Sequence, residues 1–430
     1  MPTNTSPVRL IAAGVLVVGI LGPGAPAARA QTDDNPPPRE GYSPFIPDFS
    51  HGVEKETTLE NHIFTLHLGL APIFDYEWFS QDQASIEQVG VQDNAPDIRS
   101  ARIQLRGNLF ARRQRPWKYL VSFEYRGFDS DPDQDWNFTD WVLTIPTGPL
   151  GDLSVGKVKE SFVYEMVGDA ANLPHAERLL SPFFTSRSVG FRLNRTVLDQ
   201  RATLAVGAFN DWFTQDMSYD ESGWDFASRV TALPLWSTSE RRFLHLAGAW
   251  RYVGADRGLL RYRGRPQSNV SDYFVDATVD VDTGGIPASH ANHWSAEALW
   301  NEGPVSVLAE YVKAEVSSVR ADDPQFRGYY ATASWFLTGE HRPYDRKVGY
   351  ARRPLPEGRW GAVELVARYG LVDLVDKGID GGYMTQWFTA VNWWATRRWR
   401  FTVGYGLSTL EKEGIRGKMS QVLARVQWIY

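Results

Sequence analysis

Arginines recur at positions that alternate with apolar residues. They are the residues of this sequence whose chemistry, the binding of oxyanions, recurs most often. Arg102 and Arg106, for example, flank Ile103 and Leu105 in the stretch RIQLR. A guanidinium keeps its charge at physiological pH and presents several N–H donors in a plane that fits two oxygens of a phosphate or carboxylate. A set of such residues on one water-filled wall would attract oxyanions. The arginines that oppose the apolar face are Arg102, Arg106, Arg192, Arg229, Arg251, Arg368, Arg400 and Arg425.

The alternation itself predicts the elements that position these arginines. A two-residue period recurs over 294–300, 305–313, 363–371, 385–393 and 399–407, and clusters of Gly, Pro, Asp and Asn separate such segments. In the last ten residues, the side chains from Val422 to Tyr430 on one face are apolar and the chain ends on an aromatic. Lipid-facing and lumen-facing positions alternate in this way in membrane barrels. We predict an all-β fold over residues 62–430, a transmembrane antiparallel β-barrel of about 16 strands around an aqueous channel.

The N-terminal segment predicts export. Arg9 precedes the uncharged run LIAAGVLVVGIL at 10–21, and Ala28-Arg-Ala30 follows as a small-x-small cleavage pattern, so residues 1–30 are predicted to be a signal peptide. Residues 31–61 are rich in Pro and charge and lack an apolar period, which predicts an irregular periplasmic segment. The chain has no Cys and 13% aromatic residues. Both features fit a protein of the bacterial outer membrane, whose barrels carry aromatic girdles.

The inward face is predicted to be more positive than the protein as a whole. The formal net charge of the chain is −6. On the predicted inward face, however, the arginines outnumber the carboxylates, and a pore wall of this kind prefers anions. An arginine in such a position also often pairs with a neighbouring glutamate, which would make it structural. The opposing carboxylates on this face are Glu124, Glu297, Glu310 and Glu364.

Residues 160–186 form the longest stretch without alternation that also carries apolar anchors, among them Phe162, Phe183 and Phe184. Long loops without regular structure are uncommon unless they are functional. We predict that this third loop folds into the channel and narrows it. The alternative is an extracellular loop that packs against a neighbouring subunit. The predicted ion contacts of the constriction are Lys157, Lys159, Arg178 and Arg187.

Short motifs follow one another in a fixed order through most of the mature chain. They include the segments 155–162 (VGKVKESF), 337–344 (LTGEHRPY), 361–369 (GAVELVARY) and 425–428 (RVQW). This series resembles the phosphate-selective porins of the O and P type. The resemblance implies a barrel of about 16 strands, a homotrimer, an inward-folded third loop and passive flux of anions, phosphate or polyphosphate. Glu160, where the family often has Pro, and the acidic third loop leave the permeating solute open.

No pattern predicts a catalytic, cofactor or metal site. His290 and His293 fall in a predicted loop without an ordered nucleophile and acid beside them, and no Gly-rich phosphate loop is present. Basic residues are spread over the strands, so nucleic acid is not a predicted partner. The predicted partners are inorganic anions such as phosphate, outer-membrane lipid and further copies of the chain. Two alternatives stay open: a general diffusion porin or channel for another small solute, and a secreted soluble β-rich binding protein.

Overall fold

The computed structural model describes residues 58–60, 63–125, 136–212, 217–237, 239–279 and 284–430. The predicted signal peptide, residues 1–30, lies outside the described residues. So does the predicted periplasmic segment, except for residues 58–60. Among the described residues, no helix is long and apolar enough to cross a membrane.

Sixteen antiparallel strands close into a barrel, which confirms the predicted fold class. The barrel consists of β2 to β10, β15 to β17 and β20 to β23, and each strand pairs with the next along the chain. The strands are β1 (Thr58–Glu60), β2 (Thr65–Gln81), β3 (Ala95–Leu109), β4 (Trp117–Tyr125), β5 (Trp136–Pro146), β6 (Asp152–Lys159), β7 (Arg187–Val197), β8 (Ala202–Phe209), β9 (Asp225–Trp236), β10 (Arg242–Gly254), β11 (Leu259–Leu260), β12 (Tyr262–Gly264), β13 (Val275–Ala277), β14 (Ile286–Pro287), β15 (His290–Glu302), β16 (Val305–Ser317), β17 (Gln325–Phe336), β18 (Tyr344–Asp345), β19 (Tyr350–Ala351), β20 (Ala362–Asp376), β21 (Ile379–Trp394), β22 (Trp399–Lys412) and β23 (Ile415–Trp428).

The first and last barrel strands close the sheet. Strand β23 pairs with β2 in a register that sets Val422 opposite Trp78. Strand β1 pairs with the first residues of β2 on this same edge, because His67 pairs with Thr58 on one side and with Arg106 on the other. The predicted irregular segment therefore ends in a short strand.

The prediction of a loop around His290 is wrong, since β15 begins at that residue and continues the ladder.

The connections differ between the two ends of the barrel. Both chain ends of the barrel lie at one end, together with the short connections 110–116, 147–151, 198–201, 237–241, 303–304 and 395–398. In outer-membrane barrels this short-turn end faces the periplasm. The opposite, outer end carries most of the long loops and also two tight hairpins, 377–378 and 413–414. In both hairpins the two turn residues have positive φ, as type I′ turns require.

Three segments fold into the lumen. The third loop (160–186) contains the helix α2 (Tyr164–Val167) and two 3₁₀ turns, 170–172 and 181–183. The fifth loop (255–289) contains β11 to β14 and is longer, so the expectation that 160–186 is the longest irregular stretch is wrong. The periplasmic insert (337–361) enters from the opposite end and contains β18 and β19. A further helix, α1 (Gln83–Val89), lies in the first outer loop, where the Asp82 carboxylate caps it by accepting from Ser85 N.

Candidate functional site

All eight predicted pore-lining arginines lie on the inward face of the barrel. In β23, Arg425 is 3% exposed, whereas Val422 and Val426 on the other face are 38% and 36% exposed. The inward side chains are buried because the three segments inside the lumen cover them. The outward side chains are exposed in the structure because in the membrane their neighbours are lipids. The alternation of the sequence therefore assigned the faces of these strands correctly, apart from local bulges.

Several of these arginines form ion pairs across the inner wall. Arg102 Nη2 lies 2.6 Å from Glu124 Oε2, on the neighbouring strand. Arg229 donates to both oxygens of Glu297, at 2.8 and 2.6 Å. A guanidinium held by two parallel bonds is fixed in direction and loses part of its attraction for a mobile anion. Arg251 is held in the same way by Glu160 and Asp225. These arginines therefore have the structural role that was the alternative to binding a permeating anion.

Other inward arginines hold the third loop in place. Arg400 Nη1 donates to Leu173 O at 2.9 Å, and Arg425 Nη1 donates to Ala176 O at 2.8 Å. Arg368 Nη1 donates to Glu177 O at 2.8 Å. The buried carbonyls of an irregular loop have no ladder to join, so these guanidiniums satisfy them. Arg192 likewise donates to Lys159 O, while Arg106 is buried on the inner face of β3.

A cavity of about 40 Å³ lies between the third loop and the inner wall formed by β2, β3 and β23. This exceeds the roughly 10–15 Å³ that one water molecule needs. Two carboxylates, Glu124 and Asp169, reach its surface. Most of the charged side chains around it are cationic instead. They are Arg99, Arg102, Lys159, Arg178, Arg187 and Arg425.

Glu177 of the third loop bridges two of these arginines. Arg99 Nε and Nη2 donate to its two oxygens at 2.7 and 2.9 Å, and Arg425 Nη2 donates to Oε1 at 2.6 Å. Arg425 is shared with Asp75, to which its Nε donates at 2.7 Å. Burial alone would raise the pKa of Glu177, but the two guanidiniums lower it to about 2. Glu177 is thus a permanent anion, and among the described residues no group accepts a hydrogen bond from Arg99 Nη1.

Three of the four predicted constriction residues border this cavity. Lys159 Nζ lies 2.7 Å from Asp169 Oδ1, and Arg187 Nε lies 2.7 Å from Asp140 Oδ1. Arg178 Nε donates to Glu165 O at 2.6 Å. The structure does not bring Lys157 to the site. Its register partners are Trp141 and Val189, and it shares the outward face of β6 with Val155, which is 44% exposed.

Sequence reasoning missed Arg99, because a β-bulge changes the face on which it lies. Ile73 pairs with Ser100 and Phe74 pairs with Ile98, so Arg99 is the extra residue. Strict alternation with Ile103 places Arg99 on the lipid face, yet it is 5% exposed inside the barrel. One signal was available, since an arginine on the lipid face costs about 2–4 kcal/mol near the midplane. An arginine at such a position is itself a hint of a bulge.

A second cluster fixes the third loop from within. Arg368 Nη2 donates to the buried Glu165 carboxylate, and His175 Nε2 lies 3.2 Å from Glu165 Oε1. Burial and the charge of Arg368 lower the pKa of His175 to about 4, although Glu165 opposes this. His175 is therefore neutral at physiological pH, while the pKa of Glu165 is lowered to about 2 by Arg368 and His175 against the effect of burial.

The periplasmic insert packs against the third loop and the wall. Arg342 forms an ion pair with Glu364 and donates to Asn172 O at 2.9 Å. Tyr164 Oη accepts from Ala351 N at 2.8 Å. The insert is also held on the barrel wall. Tyr344 Oη and His245 Nδ1 are 2.6 Å apart, and Arg229 Nη2 donates to Gly349 O at 2.8 Å. The lumen is therefore narrowed from both ends of the barrel.

Comparisons with known proteins agree with this geometry. The chain is 24% identical to Porin O of Pseudomonas aeruginosa over 353 residues, which cover 76% of each chain. It is 33% identical over 172 residues to an uncharacterized protein of Caulobacter vibrioides, a match that covers 38% of this chain and only about a third of that relative. Among solved structures, an anion-selective porin from Comamonas acidovorans matches with a TM-score of 0.55, 10% identity and coverage of 85% of this chain and all of that one. OmpT of Vibrio cholerae in its trimer form matches with a TM-score of 0.50, 10% identity and coverage of 85% and 100%.

A closed barrel of 16 antiparallel strands whose charged lumen is narrowed by inserted loops defines an outer-membrane porin, a protein that forms a channel. The chain belongs to the family described as phosphate-selective porin O and P, whose model matches residues 74–430. The resemblance that the motifs indicated is thereby confirmed, as is the outer-membrane location.

Proposed function

We propose that this porin is a passive channel that prefers anions and binds phosphate, or a related oxyanion, beside the third loop. The proposal rests on the basic cavity between that loop and β2, β3 and β23. Among the described residues that line this cavity, six side chains are basic and two, Glu124 and Asp169, are acidic. A local excess of cations in a confined polar space concentrates anions, even in a protein of net charge −6.

The carboxylates determine how strongly an anion is held. Glu177 and Asp75 occupy the bidentate faces of Arg99 and Arg425. A permeating phosphate would therefore meet the remaining N–H groups, those of Arg99 Nη1 in particular, rather than two bare guanidiniums. Conduction requires binding that is favourable enough for entry and weak enough for release. Paired arginines satisfy this requirement better than unpaired ones would.

The name of the family and that of the Comamonas porin support the preference for anions, and Porin O is a relative over most of the chain. We further propose that the working form is a homotrimer in outer-membrane lipid, as the matching trimer form of OmpT suggests. The mature protein is proposed to begin after a signal peptide at 1–30. The inward arginines are proposed to act mainly as a set, since Arg251, Arg368, Arg400 and Arg425 also hold the third loop.

Block of chloride current by phosphate tests the proposed solute. Millimolar phosphate should reduce the current of the purified protein in a planar bilayer. Lys159→Gln removes a cation that lines the cavity and should weaken the block by about tenfold, the size expected for one charged hydrogen bond. Lys313→Gln is the matched control, because Lys313 forms a similar ion pair with Glu315 on the outward face of β16. Chloride current without phosphate block would favour a general diffusion porin instead.

A further inference from the structure

A concave patch of about 630 Å³ lies on the outer wall of the barrel, near the outer end of β20 to β23. Its floor is aromatic. Tyr369 and Trp387 are register partners on the outward face, and their ring centroids are 4.8 Å apart. The hairpins 377–378 and 413–414 join these strands just above it, so this outer patch lies where the membrane meets the external solution.

The outer patch becomes steadily more polar towards the outer end of the strands. In the row nearest the membrane centre, Trp387 pairs with Leu407. In the next row, Thr385 pairs with Thr409, which presents hydroxyl groups. In the row after that, the residues are charged or phenolic, with Tyr383 opposite Glu411. An amphiphile with an apolar tail and a polar head matches this sequence of rows.

Two cations stand at the polar edge of the patch. Arg416 Nε lies 3.2 Å from Glu411 Oε1, and both side chains are largely exposed, at 66% and 49%. Lys418 is the register partner of Thr409, and its ammonium has no ion-pair partner among the described residues. A phosphate suits this pair, since Arg offers a planar fork of donors and Lys offers a point charge.

We propose that the outer patch binds a phosphorylated lipid of the outer leaflet. The headgroup phosphate would lie between Arg416 and Lys418, and an acyl chain would extend over Trp387 and Leu407. The charges favour a lipid over a second copy of this chain. A flat protein surface would have to remove Arg416, Lys418 and Glu411 from water, which is costly, whereas a headgroup leaves them at the water boundary.

Native mass spectrometry of the full, folded protein in neutral detergent tests the assignment. The probe is diphosphorylated lipid A, and the same lipid after removal of its phosphates is the control probe. The phosphorylated form should bind, and the double variant Arg416→Gln/Lys418→Gln should bind it at least about tenfold more weakly. Arg242→Gln is the matched control. Arg242 forms an equally exposed pair with Glu302, at 2.9 Å, but at the periplasmic end, so its variant should bind like the wild type.

A third variant gives an effect of opposite sign. Glu411→Gln removes the carboxylate that competes for Arg416 and should strengthen binding of the phosphorylated lipid, a gain that misfolding cannot produce. Equal binding of both lipid forms, or unchanged binding by the double variant, would overturn the proposal. A loss of oligomer mass in the double variant without loss of lipid would show that the patch is an interface with a second copy. These outcomes are independent of whether phosphate permeates the channel.

Discussion

At the scale of single residues, Arg99 shows how one inserted position changes the chemistry of a lumen. The bulge in β3 moves this side chain from the lipid face to the cavity, where it donates to Glu177, a carboxylate that also accepts from Arg425. Most inward arginines could be assigned from the alternation of the sequence. Arg99 could not, because a bulge depends on the pairing of β3 with β2, and a strict two-residue period hides it.

We predict that Arg99→Gln weakens phosphate block by about tenfold, because the variant lacks a cation that lines the cavity. The concentration of phosphate that halves the chloride current measures the effect. Arg327→Gln serves as the control, since Arg327 pairs with Asp373 on the outward face. Identical block in both variants would place the phosphate site elsewhere in the channel.

His175 makes the stability of the folded protein sensitive to pH. The pKa of His175 is about 4 in the folded protein, below the ordinary value of 6.5 for histidine, because burial and the charge of Arg368 disfavour the protonated ring. Between pH 6.5 and about pH 4, His175 takes up a proton in the unfolded chain but not in the folded protein. The free energy of unfolding therefore falls as the pH falls through this range. The loss is at most about 3 kcal/mol.

The variant His175→Gln cannot take up this proton, so it should lose less stability than the wild type between neutral pH and about pH 4. The midpoint of thermal unfolding, followed by the mobility shift of the heated barrel, measures the difference. His290→Gln, at the start of β15, is the control and should follow the wild type. A parallel decline of all three proteins would exclude His175 as the cause.

At the scale of elements, the sequence predicts the strands far better than the inserted segments. A strand with one face in lipid has a local two-residue pattern that can be read directly. The periplasmic insert is held by contacts between distant parts of the chain, such as Arg342 with Asn172 O and Tyr164 Oη with Ala351 N. No local pattern encodes such contacts. The third loop was recognised because its apolar anchors stand in a long irregular stretch.

Replacement of residues 342–353 by a short Gly-Ser turn should raise the single-channel conductance severalfold. The insert fills part of the lumen, and a barrel of about 16 strands is wide enough to conduct freely without it. Single-channel recordings in a planar bilayer measure the change. The control is a Gly-Ser replacement of the short turn 395–398, which should leave conductance unchanged. An unchanged conductance after removal of the insert would mean that the third and fifth loops alone set the constriction.

At the scale of the whole molecule, a polar and charged lumen takes the place of an apolar core. Arginines are among the largest fully buried side chains, and paired carboxylates and loop carbonyls satisfy them. The outward face carries the apolar residues instead, as a barrel in lipid requires. This inversion explains why a chain with 43% apolar residues and a net charge of −6 can still enclose a positive channel.

The reversal potential of the purified protein in a gradient of potassium chloride tests the central claim most directly. An excess of basic side chains at the constriction predicts that the potential takes the sign of the chloride equilibrium potential. The effect should persist at moderate salt, because the charges lie in a confined lumen and are screened less than surface charges. A potential of the opposite sign, which would reveal a preference for potassium, would contradict the account.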